Sequence, residues 1–286
     1  IRHFRDEMLN FPNVISQYDF RKELILETLE EEGIQLDGIK IIMGRGGLTY
    51  PLKSGVYKVD DRMLVHVRKG VLGMHASNLG PLIAHALAKE IPGAEAFIAD
   101  PVVTDELEDV ARIAGHPRFE RRSIFHALNQ KAVSRLFARK KGVTYDSLNL
   151  IVAHMGGGVS VGVHSKGRVI DVNNALDGEG PFSPERSGTL PAGQLIEACF
   201  SGNFSEEEIQ KMVTGEGGLV AYLQTNSMLE IEDQALEGDA NSKLLIDAFC
   251  YQVSKAIGEM APVLKGKIDA IILTGGIARS EWIVNE

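Results

Sequence analysis

Leu150-Ile151-Val152-Ala153-His154-Met155-Gly156-Gly157-Gly158-Val159-Ser160 is the stretch that decides how this chain folds. The apolar run from Leu148 to Ala153 reads as a buried strand, and Val159 to His164 reads as a second. Arg168 to Val172 follows as a third, so the region is a meander of short strands joined by glycine-rich or polar turns. Consecutive glycines let the backbone approach an anion closely and aim several N–H groups at it. They equally serve a tight β-turn that needs positive φ, and this stretch by itself leaves both readings open. No GxxxxGK[ST] motif occurs anywhere, and the spacing is not that of a dinucleotide-binding fingerprint.

The same unit, an apolar strand ending in a glycine turn, recurs at 39–47 and 270–276. Ile271-Ile272-Leu273-Thr274-Gly275-Gly276-Ile277-Ala278 runs from strand to helix and can seat a nucleotide, although a plain strand-to-helix turn explains it as well. Asp171 to Thr189 is a long aperiodic loop, of a kind usually functional or disordered. It carries Arg186, whose planar permanent charge suits a carboxylate or phosphate. Arg45 sits in the first glycine turn. His126 precedes a basic helix and can donate to a developing anion, whereas a lone histidine is more often structural. Asp100 ends the short strand from Ala96 to Ala99, a position that suits a cleft as well as a helix cap.

The remaining pattern is α/β. Helices are expected at 21–32, closed by Gly33, at 77–91 with Ser77 or Asn78 as cap, and at 127–141 with Leu128, Val133, Leu136 and Phe137 inward. Further helices are expected near 191–200, 205–214 and 239–263, while residues 62–67 read as extended. A domain boundary is expected near residue 147, giving an acceptor-side domain over 1–147 and a nucleotide-binding domain over 148–286.

With 286 residues and 44% hydrophobic content the chain can bury one large core or two moderate ones. A net charge of −9 argues against a nucleic-acid or anionic-membrane partner. Cys199 and Cys250 form no CxxC pair, which points to a reducing cytoplasm rather than a disulfide or zinc framework. No apolar run approaches the roughly 18 residues of a membrane span, and no signal peptide is read.

Taken together, His75-Ala76-Ser77-Asn78-Leu79-Gly80, Asp100-Pro101-Val102-Val103, Ser123 through Lys131, His154 through Gly158, and Asp171 through Pro191 resemble the acetate and butyrate kinase family over about residues 20–280. The resemblance implies the two-domain actin-like ATPase (ribonuclease H-like) fold, with a cleft for nucleotide and acceptor. It implies ATP or ADP and Mg²⁺ as cofactors, a small carboxylate substrate and self-association into a homo-oligomer. By the same resemblance His154, Gly156, Gly157 and Gly158 form a phosphate-binding hairpin, and Gly275, Gly276 and Ile277 belong to the adenosine turn. Arg45 and Arg186 match the family's active-site arginines, His126 its transition-state histidine and Asp100 its active-site aspartate. The family's amino-terminal phosphate loop is expected before Ile1, and its magnesium-associated carboxylate beyond residue 286, so no metal ligand is assigned.

A carboxylate acceptor is already ionised near pH 7 and needs no general base. The obstacle is bringing it to a polyanionic phosphate, since two unit charges about 4 Å apart repel by roughly 4 kcal/mol at an effective dielectric near 20. Positioning and charge neutralisation are therefore the expected means of catalysis, by direct in-line transfer. Within the resemblance, the triple-glycine hairpin and the Phe182–Arg186 loop favour butyrate as the acceptor, with acetate, propionate and branched acids as alternatives. A nucleotide-binding regulator on the same fold and an incomplete, inactive fragment stay open as other classes.

Overall fold

In the computed structural model, which describes residue 7 and residues 10–286, strands form where apolar stretches run into glycine turns. Contacts divide the chain into two units, residues 1–104 and residues 105–286. The division falls after Thr104 rather than after Ser147, because the basic helix at 127–141 packs on strands of the second unit.

In the first unit α1 (Tyr18–Glu31) ends before Gly33, which adopts φ +65°. Then come β1 (Ile41–Arg45), β2 (Val56–Lys58), α2 (Asp61–Lys69), α3 (Leu79–Glu90) and β3 (Glu95–Ala99). The sheet order is β1-β3-β2, with β3 parallel to β1 and antiparallel to β2. A Cβ on Gly80 would collide with the Arg45 carbonyl, so glycine is what allows α3 to lie close against β1. Residues 62–67, expected to be extended, are helical in α2. Asp60 caps this helix by accepting from Met63 N at 2.7 Å, Gly70 closes it in the left-handed region, and Met63 and Val67 share its buried face.

The second unit contains α4 (Ala127–Lys141), β4 (Asn149–Met155), β5 (Val159–Ser165), β6 (Arg168–Val172), α5 (Ala192–Phe200), α6 (Glu206–Val213), α7 (Met228–Leu236), α8 (Ala240–Met260) and β7 (Ala270–Thr274). The sheet order is β6-β5-β4-β7, with β7 parallel to β4 and the other pairs antiparallel. Strand alternation gives β4 and β5 two different faces. Ile151, Ala153, Met155, Val159, Val161 and Val163 cluster with Ile246, Phe249 and Val253 of α8. The opposite face of β5 carries Ser160, Gly162 and His164.

That polar face sets the orientation of α4. Leu128 and Leu136, expected inward, are exposed, and Val133 and Phe137 are only half-buried. The buried positions are Ala127, Gln130, Lys131, Ser134 and Ala138. Gln130 bonds to Ser160 and His164, and Lys131 pairs with Glu106 at 2.6 Å. Polar partners on the sheet thus outweigh the apolar stripe of the helix.

Burial, followed by the charges of Lys131 and Arg135, pushes the His164 imidazole from 6.5 down to about 3. Between those values the unfolded chain binds a proton that the folded chain does not, so stability is lost as pH falls. The loss is about 1.4 kcal/mol per pH unit. In urea unfolding between pH 6.5 and 4, a His164→Gln variant is therefore expected to lose stability less steeply than the wild type. Parallel acid limbs in the two proteins would contradict a buried, neutral His164.

Candidate active site

β4 and β5 pair up to Met155 and Val159, so Gly156-Gly157-Gly158 is the whole of the turn between them. The Gly156 N–H donates to the Gly158 carbonyl at 3.1 Å and closes it. Beside it, the parallel pairing of β7 brings Thr274 opposite His154. Gly275 then turns with φ +96°, and a Cβ there would collide with the Met155 carbonyl. The two glycine turns are therefore neighbours at the same end of one sheet. Ile277 follows with its side chain in the hydrophobic core, which leaves only its backbone to face a ligand.

Arg186 and His126 converge on this hairpin. A Cβ on Gly158 would collide with Arg186 Nη1 and lie 2.9 Å from Arg186 Cζ and 3.3 Å from His126 Cε1. Arg186 Nη1 donates to the Ala175 carbonyl at 2.6 Å. Burial lowers its pKa, and Glu185 and Asp177 oppose that shift, so the guanidinium stays charged. The loop that carries it is ordered: Ser183 N donates to the Arg186 carbonyl, and Ser183 Oγ donates to the Gly157 carbonyl at 2.8 Å.

His126 stacks on His154 with ring centroids 3.8 Å apart and planes 12° from parallel. His154 Nδ1 meets Asn129 Oδ1 at 2.7 Å, and its Nε2 lies toward Gly156. His126 Nδ1 meets Ser160 Oγ at 2.8 Å. One guanidinium, two imidazoles and a run of turn amides thus gather at one strand end, an arrangement suited to a multiply charged anion.

Arg45 and Asp100 form a separate group in the first unit. Arg45 pairs in register with Ala99, which sets Asp100 beside it at the ends of two parallel strands. Asp100 is buried with φ +37°, and its Oδ1 accepts from Ser54 Oγ at 2.6 Å and from Gly55 N at 2.9 Å. Asn129, Gln130, Ser160 and Ser183 were not expected in the site. Asn129 and Gln130 fall inside the Ser123–Lys131 stretch, but only strand pairing reveals what they touch.

A family model described as the acetokinase family matches residues 118–286. Butyrate kinase 2 of Clostridium acetobutylicum is 53% identical over 285 residues, which is 100% of this chain and 80% of that protein. Butyrate kinase 1 of the same organism is 52% identical with the same coverage. Among solved structures, Porphyromonas gingivalis acetate kinase superposes with a TM-score of 0.78 at 20% identity, covering 93% of this chain and 70% of that one. A propionate kinase from Francisella tularensis gives 0.75 at 23% identity, covering 92% and 70%. Fold and relatives together define an ATP-dependent phosphotransferase of the actin-like class. The chain belongs to the acetokinase family and is a short-chain carboxylate kinase.

Gly158→Ala isolates the Arg186 contact. Moving the guanidinium strains its bond to the Ala175 carbonyl, so stability is expected to fall by about 1–3 kcal/mol in urea unfolding, with the fold retained. Displacing the guanidinium is expected to lower kcat roughly 10- to 100-fold in an ADP-release assay. A folded variant with wild-type kcat would show that Arg186 is not needed where it lies.

Proposed function

We propose that this chain transfers a phosphoryl group reversibly between ATP and butyrate, giving butanoyl phosphate and ADP by direct in-line displacement. A carboxylate oxygen bonds to the γ-phosphorus as the bond from that phosphorus to the β,γ-bridging oxygen breaks, and the electron pair leaves with ADP. The observation that carries the reading is the seating of Arg186 and His126 on Gly158. A guanidinium and a ring N–H beside the hairpin amides can take up charge on the equatorial oxygens of the transferring group.

In this reading Arg186 holds the transferring phosphoryl and His126 donates to its oxygens. His154, Gly156, Gly157 and Gly158 cradle the nucleotide phosphates, and Gly275, Gly276 and the Ile277 backbone border the adenosine. Arg45 orients the acid carboxylate. Asp100, held by Ser54 and Gly55, orients a cationic group or a water rather than acting as a base. Choice of butyrate rests on the two relatives above 50% identity that bear that name.

Among the described residues no three His, Cys, Asp or Glu side chains converge as a metal site. Mg²⁺ would come with the nucleotide and would supply charge neutralisation on its phosphates. The proposal also places the enzyme in the cytoplasm as a self-associating protein. Among the described residues no helix is long and apolar enough to cross a membrane.

ADP release across acids of two to six carbons tests the substrate. One methylene is worth about 1–3 kcal/mol in an apolar pocket, so butyrate should exceed acetate in kcat/KM by at least tenfold. ATP turnover that no carboxylate stimulates would sink the proposal. Arg186→Ala is expected to cut kcat by roughly three powers of ten or more, and a loss under tenfold would remove Arg186 from the chemistry.

A further inference from the structure

Behind the hairpin, sealed between α4 and β5, lies a chain of polar side chains that the reaction itself does not touch. Gln130, Ser134, Ser160 and His164 are all fully buried. Tyr145 Oη meets His164 Nδ1 at 2.6 Å, His164 Nε2 meets Gln130 Oε1 at 2.9 Å, and Gln130 Nε2 meets the Ser160 carbonyl and Oγ at 3.0 and 2.9 Å. Ser160 Oγ then meets His126 Nδ1 at 2.8 Å. A Cβ on Gly162 would lie 2.5 Å from Gln130 Oε1, so a glycine in mid-strand leaves the amide its space.

The protons in this chain have one assignment. A carbonyl only accepts, so the group of Gln130 facing Ser160 O is its NH₂, and its oxygen faces His164. His164 Nε2 must then donate. Its burial beside Lys131 and Arg135 keeps the ring neutral, so Nδ1 accepts. Ser134 Oγ gives its proton to the Gln130 carbonyl at 2.7 Å, which leaves the Tyr145 hydroxyl as the donor to Nδ1. Ser160 Oγ accepts from Gln130 Nε2 and, at 3.5 Å, from the His126 backbone N–H, which occupies both lone pairs and leaves its own proton for His126 Nδ1. The His126 ring proton is therefore on Nε2. Each donor points the same way, from Tyr145 toward the hairpin, and such chains polarise cooperatively.

We propose that Gln130 and His164 are positioning residues that lock His126 in the Nε2–H tautomer and hold its ring edge against Gly158. The inference rests on the reading of His126 as a donor to the transferring phosphoryl and adds what aims it. Without the relay the Ser160 hydroxyl can turn, the imidazole can carry its proton on Nδ1, and Nε2 becomes a lone pair facing an anion. An apolar filling of this layer would pack as well, so the polar chain has no evident purpose in stability.

The test is long-range ¹H–¹⁵N correlation NMR on the full chain labelled at histidine, combined with steady-state kinetics. In the wild type near pH 7, His126 and His164 are both expected as neutral Nε2–H tautomers. His164→Leu is expected to lower kcat roughly 10- to 100-fold, as lost supporting contacts do at other sites. KM for ATP and butyrate should move less than about threefold, and an Nδ1–H population should appear at His126. His164→Gln, whose amide places a donor where Nε2 was, is expected to restore most of kcat. If the leucine variant does not fold, Tyr145→Phe removes a single hydroxyl at the outer end and should produce a smaller shift of His164 and His126 toward mixed tautomers.

His126 found as Nδ1–H in the wild type, or a folded His164→Leu enzyme with wild-type kcat, would overturn the proposal. Unchanged tautomers in Tyr145→Phe would do the same for the direction of the relay. Failure of the underlying reading looks different: a wild-type protein without acid-dependent ADP release, or a His126→Ala variant at full rate, with the tautomer pattern intact.

Discussion

Gly158 has no side chain, and the guanidinium of Arg186 fills the space a Cβ would take. The placement of the guanidinium at the hairpin depends on that vacancy. The charge lies against the hairpin only because the loop at 171–189 folds back, with Ser183 reaching the Gly157 carbonyl and Asn173 clamping Val161 N at 2.7 Å. Gly218 permits the next chain segment to close over that loop, since a Cβ there would collide with the Ser183 carbonyl. The loop is thereby tied to the hairpin, and it carries a half-buried positive charge at Arg186.

The sheet beneath serves two purposes through its alternation. Its apolar face is spent on α8, which secures the hairpin to the core through Ile151, Ala153 and Met155. Its other face is polar and meets Gln130, Lys131 and Ser134 of α4. Such a layer is tolerable only when every group is satisfied, because one unmet buried donor or acceptor costs about 1–3 kcal/mol. The chain from Tyr145 to His126 meets that condition. The bonds that make this layer tolerable are the same ones that would aim the His126 ring.

Much of this was legible in the sequence, for identifiable reasons. The strands at 149–155, 159–165, 168–172 and 270–274 stand out as apolar stretches bounded by glycine-rich or polar turns, among which Gly167 and Gly275 take the left-handed φ that glycine adopts readily. The helix at 61–69 was obscured by Val65 and Val67, which favour strands, while its determinants are the Asp60 cap and Gly70. The inward face of α4 was not legible. An apolar stripe normally faces the core, and nothing within the helix discloses that its partner strand presents Ser160 and His164. Arg186, His126 and the hairpin glycines were singled out one at a time, but their convergence depends on loop closure over long sequence separations. The adjacency of Arg45 and Asp100 likewise needs the register that pairs Arg45 with Ala99.

The charge distribution bears on why these groups must be local. The chain carries a formal charge of −9, so its overall field repels a nucleotide and a carboxylate alike. Salt confines that repulsion to about 8 Å at physiological ionic strength. Within that range Arg186 is half-buried and partly desolvated, and nearby Glu185 and Asp177 favour its charged form. Attraction exerted from low-dielectric surroundings at hydrogen-bond range outweighs a screened, distributed repulsion. An acidic protein can therefore bring two anions together, provided its few fixed cations and donors are aimed rather than merely present. Aiming is what the Gly158 contact does for the guanidinium, and the buried relay would do it for the imidazole.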